Sequence, residues 1–168
     1  MEHHAHDRHD VRVGIITVSS SRGPADDTAG DALEQQATAA GHTVAARTIV
    51  ADAPAALEAA IVGMGADADA VVTTGGTGIT PDDVTIDVVE RLIDTPLPGF
   101  GELFRARSVA EIGTRAIGTR AVAGVRGRGL LIAVPGSADA ARLGGALIMP
   151  ELGHLVGLRR RPAGDDAV

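Results

Sequence analysis

Apolar residues come in short bursts separated by polar, glycine-rich breaks, and the spacing within each burst sets the element it predicts. Residues 11–18 (VRVGIITV) form a β-branched, nearly continuous apolar run, the pattern of a strand buried on both faces of a parallel sheet. Residues 43–50 (TVAARTIV) and 69–74 (DAVVTT) read as the second and third strands, and 120–125 and 130–134 as two more. Helical patterns lie between them. One covers 28–40 and stops at Gly41. Another covers 53–64, with Asp52 as its N-cap and Pro54 in its first turn. Further helices are expected from Asp83 to about Asp94, over 102–111, from Ser137 toward Ile148, and over 150–158, with 95–101 (TPLPGFG) as a break. Strands alternating with helices of about a dozen residues predict a three-layer α/β/α sandwich around a mostly parallel central sheet.

No linker divides the chain. One domain is expected over 11–158, with a mobile arm over 1–10 and a frayed tail over 159–168. The arm carries four of the six histidines but no apolar anchor, so a solvated arm is favoured over a metal site. The pentapeptide IGTRA occurs twice in tandem, at 112–116 and 117–121, too short a repeat to signal a solenoid.

Composition narrows the chemistry. At 168 residues and 45% hydrophobic, the chain fills one core, and no apolar run reaches the ~18 residues of a membrane span. The polar start does not read as a signal peptide, so the cytoplasm is expected. Cysteine is absent, which removes disulfides, thiolate metal sites and cysteine nucleophiles. Lysine is absent as well: all 15 basic residues are arginine, so a lysine-dependent phosphate loop and Schiff-base chemistry are excluded. A net charge of −7 disfavours nucleic acid as a partner. An acidic, lysine-free, alanine-rich chain fits a salt-loving source, and high genomic GC content gives the same bias; composition leaves both open.

In open parallel sheets, ligands sit beyond the carboxyl ends of the strands. Here those ends carry Ser19, Ser20, Ser21 and Arg22 followed by Asp26 and Asp27; Asp52; Thr74 with the glycine turn Gly75, Gly76, Thr77, Gly78; and Pro135, Gly136, Ser137. A glycine turn brings backbone N–H groups close to an anion and suits phosphate. Asp82 and Asp83 beside it would repel phosphate unless a cation lay between, and Mg²⁺ takes carboxylates together with substrate phosphates. Each acid also has a plain structural reading. Thr80 and Asp83 fit a capping box with Pro81 at the first helical position, and Asp52 is a good N-cap. It is their convergence on one sheet edge that favours a site. Arg22 and Arg105 are candidates to neutralise phosphate, Arg107 reads as solvated, and Phe100 and Phe104 read as packed in the core or an interface. Unaided, the residues reach a phosphate- or nucleotide-binding edge with Mg²⁺.

The run TTGGTGITPDDVT (73–85) resembles the signature of the MoaB/MogA family of molybdenum cofactor biosynthesis proteins. The likeness extends through LPGFGELFR (97–105), EIGTRAIGTRAVAGV (111–125) and IAVPGSADA (132–140), and leans toward the MoaB branch. It implies molybdopterin adenylyltransfer, in which the pterin phosphate attacks the α-phosphorus of Mg-ATP and pyrophosphate leaves. It also implies a trimer or hexamer, and a downstream protein that inserts molybdate or tungstate. Carried over residue by residue, Asp52 and Asp83 are the catalytic, Mg²⁺-holding acids. Gly75, Gly76, Thr77 and Gly78 match the family's glycine loop, and Ser19, Asp27 and Ser137 match its binding positions; Thr74, Asp82, Pro135 and Gly136, on the same edge, are expected to bind substrate with them. Two alternatives stand beside this: a molybdopterin carrier of the same pathway without catalysis, and a related fold that hydrolyses pyridine-nucleotide amides, whose glycine loop differs after its first two glycines.

Overall fold

A computed structural model of the protein describes residues 10–161. Its elements are β1 (Arg12–Val18), α1 (Thr28–Ala39), β2 (Thr43–Val50), α2 (Pro54–Met64), β3 (Ala70–Thr74), α3 (Thr85–Leu92), β4 (Thr95–Pro96), α4 (Pro98–Ile112), β5 (Val122–Arg126), β6 (Gly129–Val134), α5 (Ala138–Ile148) and α6 (Leu152–Arg160). The strand order is β2-β1-β3-β6-β5-β4. The pairs β1–β2, β1–β3 and β3–β6 are parallel, and β5 and β4 add an antiparallel edge.

Alternation along the strands divides the core into two layers. Val13 and Ile15, Ala70 and Val72, and Leu130, Ile132 and Val134 face α1, α4, α5 and α6, where Leu33, Phe104, Ile148 and Leu152 meet them. Ile16 and Val18, Val71, and Leu131 and Ala133 face the opposite way, onto Leu57 and Ile61 of α2 and Ile86 and Val89 of α3. This is the expected three-layer sandwich. Phe100 and Phe104 are buried side by side, with ring centroids 6.2 Å apart, and leave no aromatic face in solvent. Among the described residues no helix is long and apolar enough to cross a membrane.

Several expected boundaries move, each for a local reason. Asp52 does not cap α2: Ala53 is the N-cap, makes no side-chain bond, and leaves the Asp52 carboxylate to bond Ser20. The helix expected from Asp83 begins at Thr85, because Gly76 O already holds the Thr85 N–H at 2.9 Å and the preceding residues form a separate turn. The expected break at 95–101 is half ordered: Thr95–Pro96 pair with β5, and α4 starts at Pro98, a position that needs no N–H. Part of the tandem repeat forms a 3₁₀ helix, Gly113–Gly118. α6 runs to Arg160, into the stretch expected as tail, while the histidine-rich arm, Asp10 apart, lies outside the described residues.

The order of the sheet places the site. From β1 the chain moves outward to β2 and then returns to β3 on the other side of β1. The loops after β1 and β3 therefore diverge and open a crevice between the carboxyl ends of those strands.

Candidate functional site

A cavity of about 510 Å³ occupies this crevice. The glycine turn forms its floor. Gly75 and Gly76 have φ of +96° and +60°, a conformation that strains any residue with a Cβ. Close approach gives a second reason for glycine. A Cβ on Gly75 would run into the Val18 carbonyl, and one on Gly136 would come within 2.9 Å of Gly75 Cα. The loops after β3 and β6 thus touch through backbone alone, and Gly75 N–H donates to Val134 O at 3.2 Å.

Two carboxylates stand beside this turn on the faces that glycine leaves bare. A Cβ at Gly76 would lie 3.2 Å from Asp52 Oδ1, and one at Gly78 would lie 2.5 Å from Asp83 Oδ2. Asp52 is held by Ser20, whose N–H and hydroxyl both donate to Oδ2 at 2.8 Å, while the Asp52 N–H donates back to Ser20 Oγ at 3.0 Å. No hydrogen bond engages Oδ1 among the described residues. Asp83 Oδ2 accepts from the Thr80 hydroxyl at 2.6 Å and the Thr80 N–H at 2.9 Å. The expected Thr80–Asp83 pairing therefore forms, but closes an isolated turn rather than a helix start. The Thr80 hydroxyl is the main reason the Asp83 carboxyl sits below the usual carboxylate range. Partial burial opposes it, and the Thr80 and Gly78 N–H groups and the Arg120 charge reinforce it. Asp83 is ionised at neutral pH.

Three arginines line the same cavity. Arg22 donates to Gly136 O at 2.8 Å. Arg120 donates to Gly78 O at 3.1 Å and pairs with Asp87 at 2.8 Å, which ties the glycine turn to the chain before β5. Arg115 has no hydrogen-bond or ion-pair partner among the described residues and is open to solvent. The two copies of IGTRA supply Arg115 and Arg120, a contribution their sequence similarity did not reveal.

The expected site residues divide. Ser19, Asp52, Gly75, Gly76, Thr77, Gly78, Asp83, Pro135 and Gly136 line the cavity. Thr74 and Ser137 stand behind it. The Thr74 hydroxyl fixes Pro135 O at 3.0 Å, and Ser137 caps α5 by accepting from Ala140 N–H at 3.1 Å. Asp82 is exposed in the turn, outside the lining. Asp27 lies away from the cavity, buried as the N-cap of α1, where it takes the Gly30 N–H at 3.0 Å, the Thr17 hydroxyl at 2.9 Å and Arg47 at 2.7 Å. Burial pushes its pKa up, but Arg47, the Gly30 N–H and Thr17 outweigh burial and hold it below the ordinary value. Arg105 and Arg107 do not line this cavity, and sequence reasoning missed Arg115 and Arg120.

Among the described residues no group of three or more His, Asp or Glu side chains gathers to hold a metal unaided. Asp52 and Asp83 are hard oxygen donors, and the unengaged Asp52 Oδ1 suits Mg²⁺ that takes its remaining ligands from phosphate and water. A larger cavity, about 750 Å³, opens at the opposite edge among Arg12, Arg126 and Arg160. It lies at the amino ends of the strands and holds neither the glycine turn nor these two carboxylates.

The fold recurs in known proteins. The family described as a probable molybdopterin binding domain matches residues 14–154. The chain is 42% identical over 158 residues to a molybdenum cofactor biosynthesis protein B from Bacillus cereus, covering 92% of this chain and 94% of that one. A crystal structure of a molybdenum cofactor biosynthesis protein B superposes with a TM-score of 0.86 at 42% identity, covering 91% of this chain and 98% of the other. The tungsten cofactor synthesizing protein MoaB from Pyrococcus furiosus superposes at 0.82 with 36% identity, covering 90% and 98%.

Proposed function

The chain belongs to the family of probable molybdopterin binding domains, and from that premise we propose that it acts in molybdenum cofactor biosynthesis in the cytoplasm, transferring AMP from Mg-ATP to the phosphate of molybdopterin. The observation that carries this reading is the pair Asp52 and Asp83, set on either side of one glycine turn and faced by Arg22, Arg115 and Arg120.

A pterin phosphate oxygen attacks the α-phosphorus of ATP, a new P–O–P bond forms, and the bond to the β-phosphate breaks as pyrophosphate leaves. No covalent enzyme intermediate is needed, so the absence of cysteine and lysine is no obstacle. The work is positioning and charge neutralisation. The Gly75–Gly78 backbone admits phosphate at close range. Arg22 and Arg115 supply N–H donors to phosphate oxygens. Ser20 orients Asp52, and Thr80 keeps Asp83 ionised and aimed at the turn. Asp52 and Asp83 would hold Mg²⁺, which supplies Lewis-acid stabilisation of the charge growing on the leaving pyrophosphate. The reading includes a homo-oligomer and a downstream protein that inserts molybdate or tungstate.

One observation favours a second reading, a molybdopterin carrier. Among the described residues two carboxylates face the cavity, and Asp83 Oδ2 is already engaged by Thr80. Pyrophosphate release from Mg-ATP, measured with and without molybdopterin, separates the two. Release that depends on the pterin supports the transferase. Tight pterin binding without release supports the carrier.

A further inference from the structure

On the reading above, the cavity must serve two flat ring systems as well as their phosphates, and its lining offers rings almost nothing. Apart from Val18 and Pro135, the residues facing it are charged, polar or glycine. The chain has no Trp or Tyr, and both of its Phe residues are buried in the core. Neither Phe ring can therefore stack on a heterocycle in the cavity.

The two most exposed large hydrophobic residues among the described residues are chain neighbours of residues that line this cavity, without being part of the lining themselves. Ile79 is 81% exposed and directly follows Gly78, while Ile117 is 88% exposed and stands between Arg115 and Gly118. Arg120 joins their two segments through its bond to Gly78 O. A single exposed isoleucine is ordinary on a protein surface. Two of them, on the two segments that Arg120 joins, add apolar area to that of Val18 and Pro135 in the lining.

We propose that Ile79 and Ile117 form an aliphatic shelf at the cavity mouth, on which a planar heterocycle of the substrates, pterin or adenine, lies while its phosphates reach inward. The inference rests on the transferase or carrier reading and adds where the ring is held. The phosphates take the polar floor, the ring takes the rim, and the specificity for a ring comes from the two isoleucines.

Both side chains are nearly fully exposed, so Ile79→Ser and Ile117→Ser leave the core intact. Leu103→Ser, at a 58% exposed position on α4, is the control. Equilibrium binding of molybdopterin, Mg-ATP and inorganic pyrophosphate is measured for the whole chain and each variant; separate pterin and nucleotide arms show which ring uses the shelf. The expected result is roughly fivefold or greater weakening of at least one ring ligand per substitution, with pyrophosphate affinity and the Leu103→Ser variant unchanged. Unchanged affinity for both ring ligands, or an equal loss for pyrophosphate, overturns the shelf. Failure of the unmodified protein to bind either ring ligand is a different result, which defeats the functional reading and the shelf with it.

Discussion

One oxygen of Asp52 takes both the N–H and the hydroxyl of Ser20 at 2.8 Å, which leaves the other oxygen beside Gly76. A residue in position to cap α2 is instead turned into the crevice and held there by the loop after β1. Ser20→Ala removes one of the two donors and frees the carboxylate to rotate. The expected result is a 10–100-fold fall in kcat, on the order seen when the partner orienting a ligand is lost, with molybdopterin affinity unchanged. An unaltered kcat in steady-state pyrophosphate release would show that Ser20 does not position Asp52.

Gly76 and Gly78 flank the same turn but differ in what alanine does to them. Gly76 has positive φ, and a Cβ there also meets Thr85 Oγ1 at 2.6 Å, so Gly76→Ala should cost about 1–2 kcal/mol in urea unfolding as well as activity. Gly78 lies outside the left-handed region, and the three atoms nearest its Cβ would all belong to the Asp83 carboxylate. Gly78→Ala should therefore keep its stability and lose turnover. Equal destabilisation of both variants would refute the distinction.

Thr85 begins α3 with a buried hydroxyl that has no hydrogen-bond partner among the described residues. Replacing it with a methyl of the same shape removes a desolvated polar group. Thr85→Val is expected to raise the unfolding free energy by about 1 kcal/mol. A drop in Tm for this variant would mean that the hydroxyl is bonded in solution.

Asp27 and Arg47 form a fold-holding ion pair outside the lining of the cavity. The folded pKa of Asp27 lies below its unfolded value. Its stabilising contribution is therefore complete above about pH 4 and fades as the pH falls through the lower, folded value. Asp27→Asn should lower stability at pH 7 by about 3 kcal/mol and flatten the acid limb of the stability–pH curve. Urea titrations at pH 7 and below pH 4 check both, and an acid limb as steep as the parent's would count against the pair.

The parallel strands were legible in the sequence because a sheet buried on both faces favours nearly continuous apolar runs rich in β-branched residues, as residues 11–18 and 69–74 display. The glycine turn was legible because its conformation excludes other residues. The fate of Asp52 was not, since the same Asp-x-Pro pattern suits a cap or a free carboxylate, and only the tertiary approach of Ser20 decides between them. The partner of Asp27 was equally illegible: an acid after a strand end can face solvent or a neighbouring strand, and only the fold brings Arg47 of β2 to it. Arg115 and Arg120 reach the cavity through a 3₁₀ passage whose path depends on the Arg120 bond to Gly78 O, 42 residues away, and no local pattern encodes that contact.

The most direct test of the account is pterin-dependent pyrophosphate release by Asp52→Asn and Asp83→Asn, measured beside molybdopterin binding. The account predicts that each variant still binds the pterin while release falls at least ~100-fold. Release at the unmodified rate by either variant would contradict it and remove that carboxylate from the reaction.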